Sequence, residues 1–114
     1  KPIVGKSINS DRRFVGTANA EVNALTGEGH GSFSIQTSDG LNCTGTYEPF
    51  LIKNVPTTVT HSGEVYCSDG TKGTYNAVNN VNSDYSQNIN GVAKIGKDEY
   101  HFVGGDLRTG VTMN

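Results

Sequence analysis

The chain reads as an all-β domain: an antiparallel meander of seven to eight short strands forming a small barrel or a two-sheet sandwich, pinned by one disulfide. Three observations predict it. Gly (15), Asn (12), Ser (9) and Thr (12) dominate, while Ala (5), Leu (4) and Met (1) are scarce. Asn, Ser and Thr draw backbone hydrogen bonds away from helical geometry, and Thr, Val, Tyr and Phe suit a pleated surface. Apolar and polar residues alternate from end to end, the two-residue period of a half-buried strand. Asp39-Gly40 and Asp69-Gly70 punctuate that alternation, and Asp-Gly readily takes the positive φ of a tight hairpin.

The elements follow in chain order. Residues 2–8 are expected to add a short edge strand. Residues 14–22 turn Phe14, Gly16, Ala18, Ala20 and Val22 to one face, and a flexible glycine-rich loop is expected over 27–32. Residues 32–37 alternate strictly, and after the first Asp-Gly turn residues 41–47 put Leu41, Cys43, Gly45 and Tyr47 on one face. A polar loop over 49–57 leads to 59–67, where Val59, His61, Gly63, Val65 and Cys67 share a face. Residues 73–77 return from the second Asp-Gly turn, an Asn-rich loop is expected over 79–86, and strands over 89–95 and 99–103 complete the meander. Residues 1–105 are thus one β-domain and 106–114 a C-terminal tail. Inward glycines at 16, 45, 63, 73 and 91 predict sharp strand bends or room for a neighbouring aromatic ring.

Val, Ile, Leu and Phe supply 25 of the 114 residues, enough to keep the chain out of the disordered class. A net charge of −2 argues against nucleic-acid binding, which needs a basic patch against phosphate. The Arg12-Arg13 pair reads as a solvated loop. No apolar run reaches the length of a membrane span. A start at Lys1 without Met predicts that a leader or anchor segment preceded it. Cys43 and Cys67 are the two cysteines; strand alternation turns both inward, so they are expected to form the disulfide, in an oxidising compartment.

A resemblance emerges at these residues. Phe14-x-Gly-x-Ala, Gly31-x-Phe-x-Ile, Gly40-x-x-Cys-x-Gly-x-Tyr and Cys67-x-Asp-Gly-x-x-Gly-x-Tyr are similar to a group of small exported bacterial proteins, many described as lipoproteins of uncharacterised function. The similarity spans residues 14–105, although the loop at 49–57 is longer than the pattern has. It implies export to the periplasm, the outer membrane or the medium, and a β fold held by this disulfide. It implies no catalytic residues.

Little in the chain points to catalysis. Glu28 with His30, and Glu99 with His101, each share a strand face, and a meeting of the two pairs would suit zinc; surface hydrogen bonding is the simpler expectation. No cofactor or metal is expected. Ser62 beside His61 faces the other side of its strand, and no nucleophile elbow is present. Tyr47, Tyr75 and Phe102 read as core. The candidate binding residues are Tyr66 and Tyr85, expected on the surface, and His61, expected in the core or at a barrel mouth. The function expected first is a non-catalytic module binding another envelope or secreted protein, as a lipoprotein accessory subunit or an inhibitor. The alternative is a small-ligand or glycan binder using a barrel mouth; a hydrolase ranks below both.

Overall fold

The alternation read from the sequence becomes the wall of a closed barrel. A computed structural model describes residues 1–105 as nine strands: β1 (Pro2–Ser7), β2 (Arg13–Val22), β3 (Glu28–Thr37), β4 (Asn42–Thr46), β5 (Phe50–Leu51), β6 (Thr57–Cys67), β7 (Lys72–Val81), β8 (Gln87–Ile95) and β9 (Asp98–Gly105). Eight of them pair antiparallel in the cyclic order β1-β2-β3-β4-β6-β7-β8-β9, and β9 returns to β1 with Ile3 opposite Gly104 and Ser7 opposite Tyr100. The two-residue β5 adds to the far end of β3. The fold is therefore a barrel and not a sandwich. The predicted tail, 106–114, lies outside the described residues.

Four local expectations need correction: one strand is paired on both sides, and in three places pairing partners extend or add a strand where a loop is expected. Residues 2–7 are no edge, because β1 is hydrogen-bonded on both sides. Residues 28–31 continue β3 instead of forming a loop, since His30 finds Glu21 and Gly29 finds Val22 on β2. Within the 49–57 loop, Phe50 and Leu51 pair with Gly29 and Glu28. Residues 79–81 belong to β7, opposite Ile89 and Gln87 on β8, which leaves only 82–86 as a turn.

Alternate residues point into the barrel. Phe14, Ile35, Val65, Tyr75, Ala93, Ile95, Tyr100 and Phe102 are buried together, with Phe14 and Tyr100 rings 5.2 Å apart and Phe33 edge-on to Tyr75 at 5.1 Å. Inward glycines make room for these rings. A Cβ on Gly45 would stand 2.3 Å from the Phe33 ring, and one on Gly5 would collide with Phe14 at the same distance. The outward face of β3 is the reverse: Glu28, His30, Ser32, Ser34 and Gln36 are all exposed, while Val15 on β2 and Val78 on β7 are exposed apolar positions of the outer wall. No helix of the described residues is long and apolar enough to cross a membrane.

Two features fix the ends and the seam. At the end bearing the tight hairpins, the buried Asp98 carboxylate accepts from the hydroxyls of Ser7 (3.0 Å) and Ser10 (2.5 Å) and from the Arg12 guanidinium (2.7 Å). The Ser10 bond first, with those of Arg12 and Ser7, holds this carboxyl below the usual range against the opposing cost of desolvation. The β4–β6 seam is short, with Cys43 opposite Cys67 and Thr44 opposite Tyr66. The disulfide joins the first of these pairs. Beyond them the Tyr75 hydroxyl reaches across from β7 and donates to the Thr46 carbonyl at 3.1 Å.

Reducing Cys43–Cys67, which closes a 24-residue separation, should lower stability by about 3 kcal/mol in the chain-entropy account. Urea denaturation with and without reductant checks this, and a loss near zero would show that the seam holds without the bridge. Asp98→Ala removes the acceptor shared by Ser7, Ser10 and Arg12 and should cost roughly 2–3 kcal/mol, read as a lowered denaturation midpoint.

Candidate functional site

The opposite end of the barrel is less filled. A cavity of about 130 Å³ opens there, lined by residues of β1, β2, β5, β6, β7, β8 and β9 and by Tyr47. Its wall includes Ala18, Tyr47, Phe50, His61, Asn79 and Ile89, with Lys1 also on the lining. Beneath it a smaller chamber of about 30 Å³ is lined by apolar side chains, and shares Ile3, Ala18, Tyr47 and Ile89 with the mouth. The mouth is open because small side chains stand where the closed end has rings: Ala18 and Ala77 occupy inward positions on β2 and β7, while Phe14 and Tyr75 sit further down the same strands.

Two polar side chains are buried here. His61 on β6 is 3% exposed and Asn79 on β7 is 6% exposed. They are diagonal neighbours, since His61 faces Ala77 and Val59 faces Asn79. The Asn79 amide nitrogen donates to Gln87 Oε1 at 2.8 Å. Its Oδ1, and Nδ1 of His61, are buried without a hydrogen-bond partner. The imidazole stacks on Tyr47, centroids 4.9 Å apart, and meets the edge of Phe50 at the same separation. Burial lowers the His61 pKa, so the ring is neutral at pH 7. Burial also pushes the Tyr47 hydroxyl up to about 12, and it too is neutral.

His61 therefore sits at the barrel mouth, one of the two places its strand position allowed. Asn79 was missed, although the inward alternation Tyr75, Ala77, Asn79, Val81 is present in the sequence. Tyr66 is 49% exposed on the outer wall; its hydroxyl donates to Glu64, and Lys72 Nζ lies 5.9 Å from its ring centroid. Tyr85 is 68% exposed in the 82–86 turn with φ of 66°. Tyr66 adjoins the hairpin end and Tyr85 the mouth, so they do not form one surface. The two His–Glu pairs stay apart. His30 Nε2 lies 3.6 Å from Glu21, and His101 Nε2 lies 3.6 Å from Glu99. Lys6, the cross-strand partner of His101, faces Arg13, eight positions from Glu21 on β2, a strand length of about 26 Å. Among the described residues no three His, Cys, Asp or Glu side chains cluster as metal ligands would.

No known protein family matches this chain, and no curated protein matches it in sequence. Among solved structures it is similar to a de novo designed fluorescence-activating β-barrel, with a TM-score of 0.53 and 18% identity over 92% of this chain and 89% of that one. At that identity the likeness is one of fold: the chain belongs to the class of small closed antiparallel barrels.

The buried His61 makes stability depend on pH. Below about 6.5 the unfolded chain's histidine takes up a proton that the folded ring, its pKa lowered by burial, resists. Stability should be full above that pH and fall as the pH drops from about 7 to 5. Measured above the carboxylate range, the slope should flatten in His61→Gln; an unchanged slope would place the titrating group elsewhere.

Proposed function

We propose that this protein is a non-catalytic binding barrel, working outside the reducing cytoplasm, that holds a small ligand at its mouth. The observation that carries this reading is an open cavity of about 130 Å³ with the buried polar residues His61 and Asn79 among those that line it. A few polar groups in a largely apolar pocket are what orients a small ligand. Eight-stranded barrels have an interior suited to side chains or to one small ligand, and here side chains leave the mouth half unfilled.

The disulfide and the resemblance to small exported proteins support a periplasmic, outer-membrane or extracellular setting. An inert site is supported by what surrounds the imidazole. Its ring neighbours are Tyr47 and Phe50, and among the described residues no carboxylate lines the cavity to orient it as a base. The protein-binding role, with an envelope partner, rests on Tyr66 and Tyr85, which offer two separate contacts and not one patch.

A panel of small neutral organic compounds screened by amide NMR should shift resonances of His61, Asn79, Gln87 and Ile89 together. Ala20→Trp, at an exposed position on the cavity rim, should weaken every such binder by about tenfold or more, the loss of roughly 1.4 kcal/mol. Shifts confined to the outer wall around Tyr66 would favour the protein-binding role instead.

A further inference from the structure

We infer that the outer wall over β2, β1, β9 and β8 docks an amphipathic helix of a partner protein, one with an apolar stripe and acidic residues along one flank. This surface lies apart from the mouth and from Tyr66 and Tyr85, and it stands or falls separately from the mouth reading.

The strand register builds the surface. Val15 on β2 lies opposite Val4 on β1, and Val4 lies opposite Val103 on β9. All three are outward positions, Val15 58% exposed and the other two half-buried. Two residues toward the hairpin end a second outward row runs alongside, with Arg13 opposite Lys6 and Lys6 opposite His101. Each of these is exposed. A shallow groove of about 300 Å³ is lined by members of both rows on β1 and β9, and by Asn90 and Val92 of β8. One lip is therefore apolar and the other basic.

Charge sets the partner's flank. Like charges directly opposite each other across a strand pair repel, and Arg13 and Lys6 stand so. Among the described residues neither forms an ion pair with an acidic side chain. Glu99 is taken up by Lys94 at 3.9 Å and His101 at 3.6 Å. A carboxylate entering between Arg13 and Lys6 relieves their repulsion. Anionic lipid fits less well: two unpaired cations fall short of the roughly four to eight that a polybasic lipid site carries, and the net charge of −2 opposes it.

Shape sets the partner's backbone. β1 and β9 are hydrogen-bonded on both sides, so neither offers an edge to an extended peptide. A strand laid flat on the valines would bury backbone N–H and C=O groups without partners. A helix satisfies its own. The apolar row is also one side chain wide on β2, β1 and β9, with cations or histidine next along each strand. Sheet-on-sheet packing needs apolar residues alternating along the strands, whereas one helix needs only a stripe. Four strands about 4.8 Å apart span roughly 14 Å, which a helix crosses in about ten residues.

The test titrates the isotope-labelled full chain with three capped helical peptides that share one leucine stripe and carry glutamate, glutamine or lysine on the flank. The glutamate peptide should shift the amides of Val4, Lys6, His101 and Val103 together. It should bind about tenfold tighter than the glutamine peptide, the scale of two surface ion pairs, and the preference should shrink as salt is raised. In Lys6→Glu with Arg13→Glu, changed only at exposed positions, the lysine peptide should bind tightest. No binding, equal binding of the glutamate and glutamine peptides, shifts centred elsewhere, or an order unchanged in the double variant overturns the assignment. Co-sedimentation with phosphatidylglycerol vesicles overturns it in favour of lipid. A dimer of the free chain that dissociates on dilution, with shifts at the same amides, gives the face to a second copy instead. Nuclear Overhauser contacts from Leu107 or Met113 to Val103 give it to the chain's own C-terminal residues. The mouth reading survives each of these outcomes, because the amides of His61 and Asn79 report on it separately.

Discussion

Closure of the barrel is the constraint on which the rest of the structure depends, and the short seam between β4 and β6 is where closure is hardest. Elsewhere the strands run in long register, as between β6 and β7 from Thr57 opposite Val81 to Tyr66 opposite Lys72. At the seam β4 stops at Thr46, and its ladder to β6 is brief. The covalent Cys43–Cys67 link stands at the hairpin end of that ladder, with Cys43 fully buried. Tyr75 then satisfies the Thr46 carbonyl that the missing ladder leaves. An open sheet would expose two edges to other chains; the closed one exposes none in its eight-stranded wall.

Once the wall is closed, the filling of its interior decides what the barrel can do. Phe14, Tyr75, Tyr100 and Phe102 fill the lower half over inward glycines, and Asp98 ties the hairpin end with bonds to Ser7, Ser10 and Arg12. The upper half carries Ala18, Ala77, His61 and Asn79 at equivalent inward positions. One end is therefore occupied by rings, the other roomier and more polar. That asymmetry leaves the cavity at the mouth, and it arises from side-chain size along the strands.

The site was partly legible. His61 lay on an apolar strand face, so burial near a mouth followed from alternation alone. Asn79 stood in the run Asn79-Asn80-Val81-Asn82, where composition signals a loop, and local propensity outweighed the two-residue period continuing from Tyr75. The same bias toward loops hid residues 28–31 and 50–51. These segments are strands because they have partners, and a partner many residues away leaves no mark on a local window. Tyr66 and Tyr85 were correctly read as exposed, but their separation to opposite ends depends on which way each strand runs.

The amino-acid sequence by itself determined the class of the structure: β throughout, hairpins at both Asp-Gly turns, an inward face of aromatics and glycines, and one disulfide available to join Cys43 and Cys67. These are local properties, set by backbone preference and a period of two. The tertiary structure alone decided that the sheet closes, that β1 fills the gap between β2 and β9, and that His61 and Asn79 come to share a cavity. Closure depends on β1 meeting β9 nearly a hundred residues along the chain. The free energy of such a pairing belongs to the assembled wall and to no single segment of sequence.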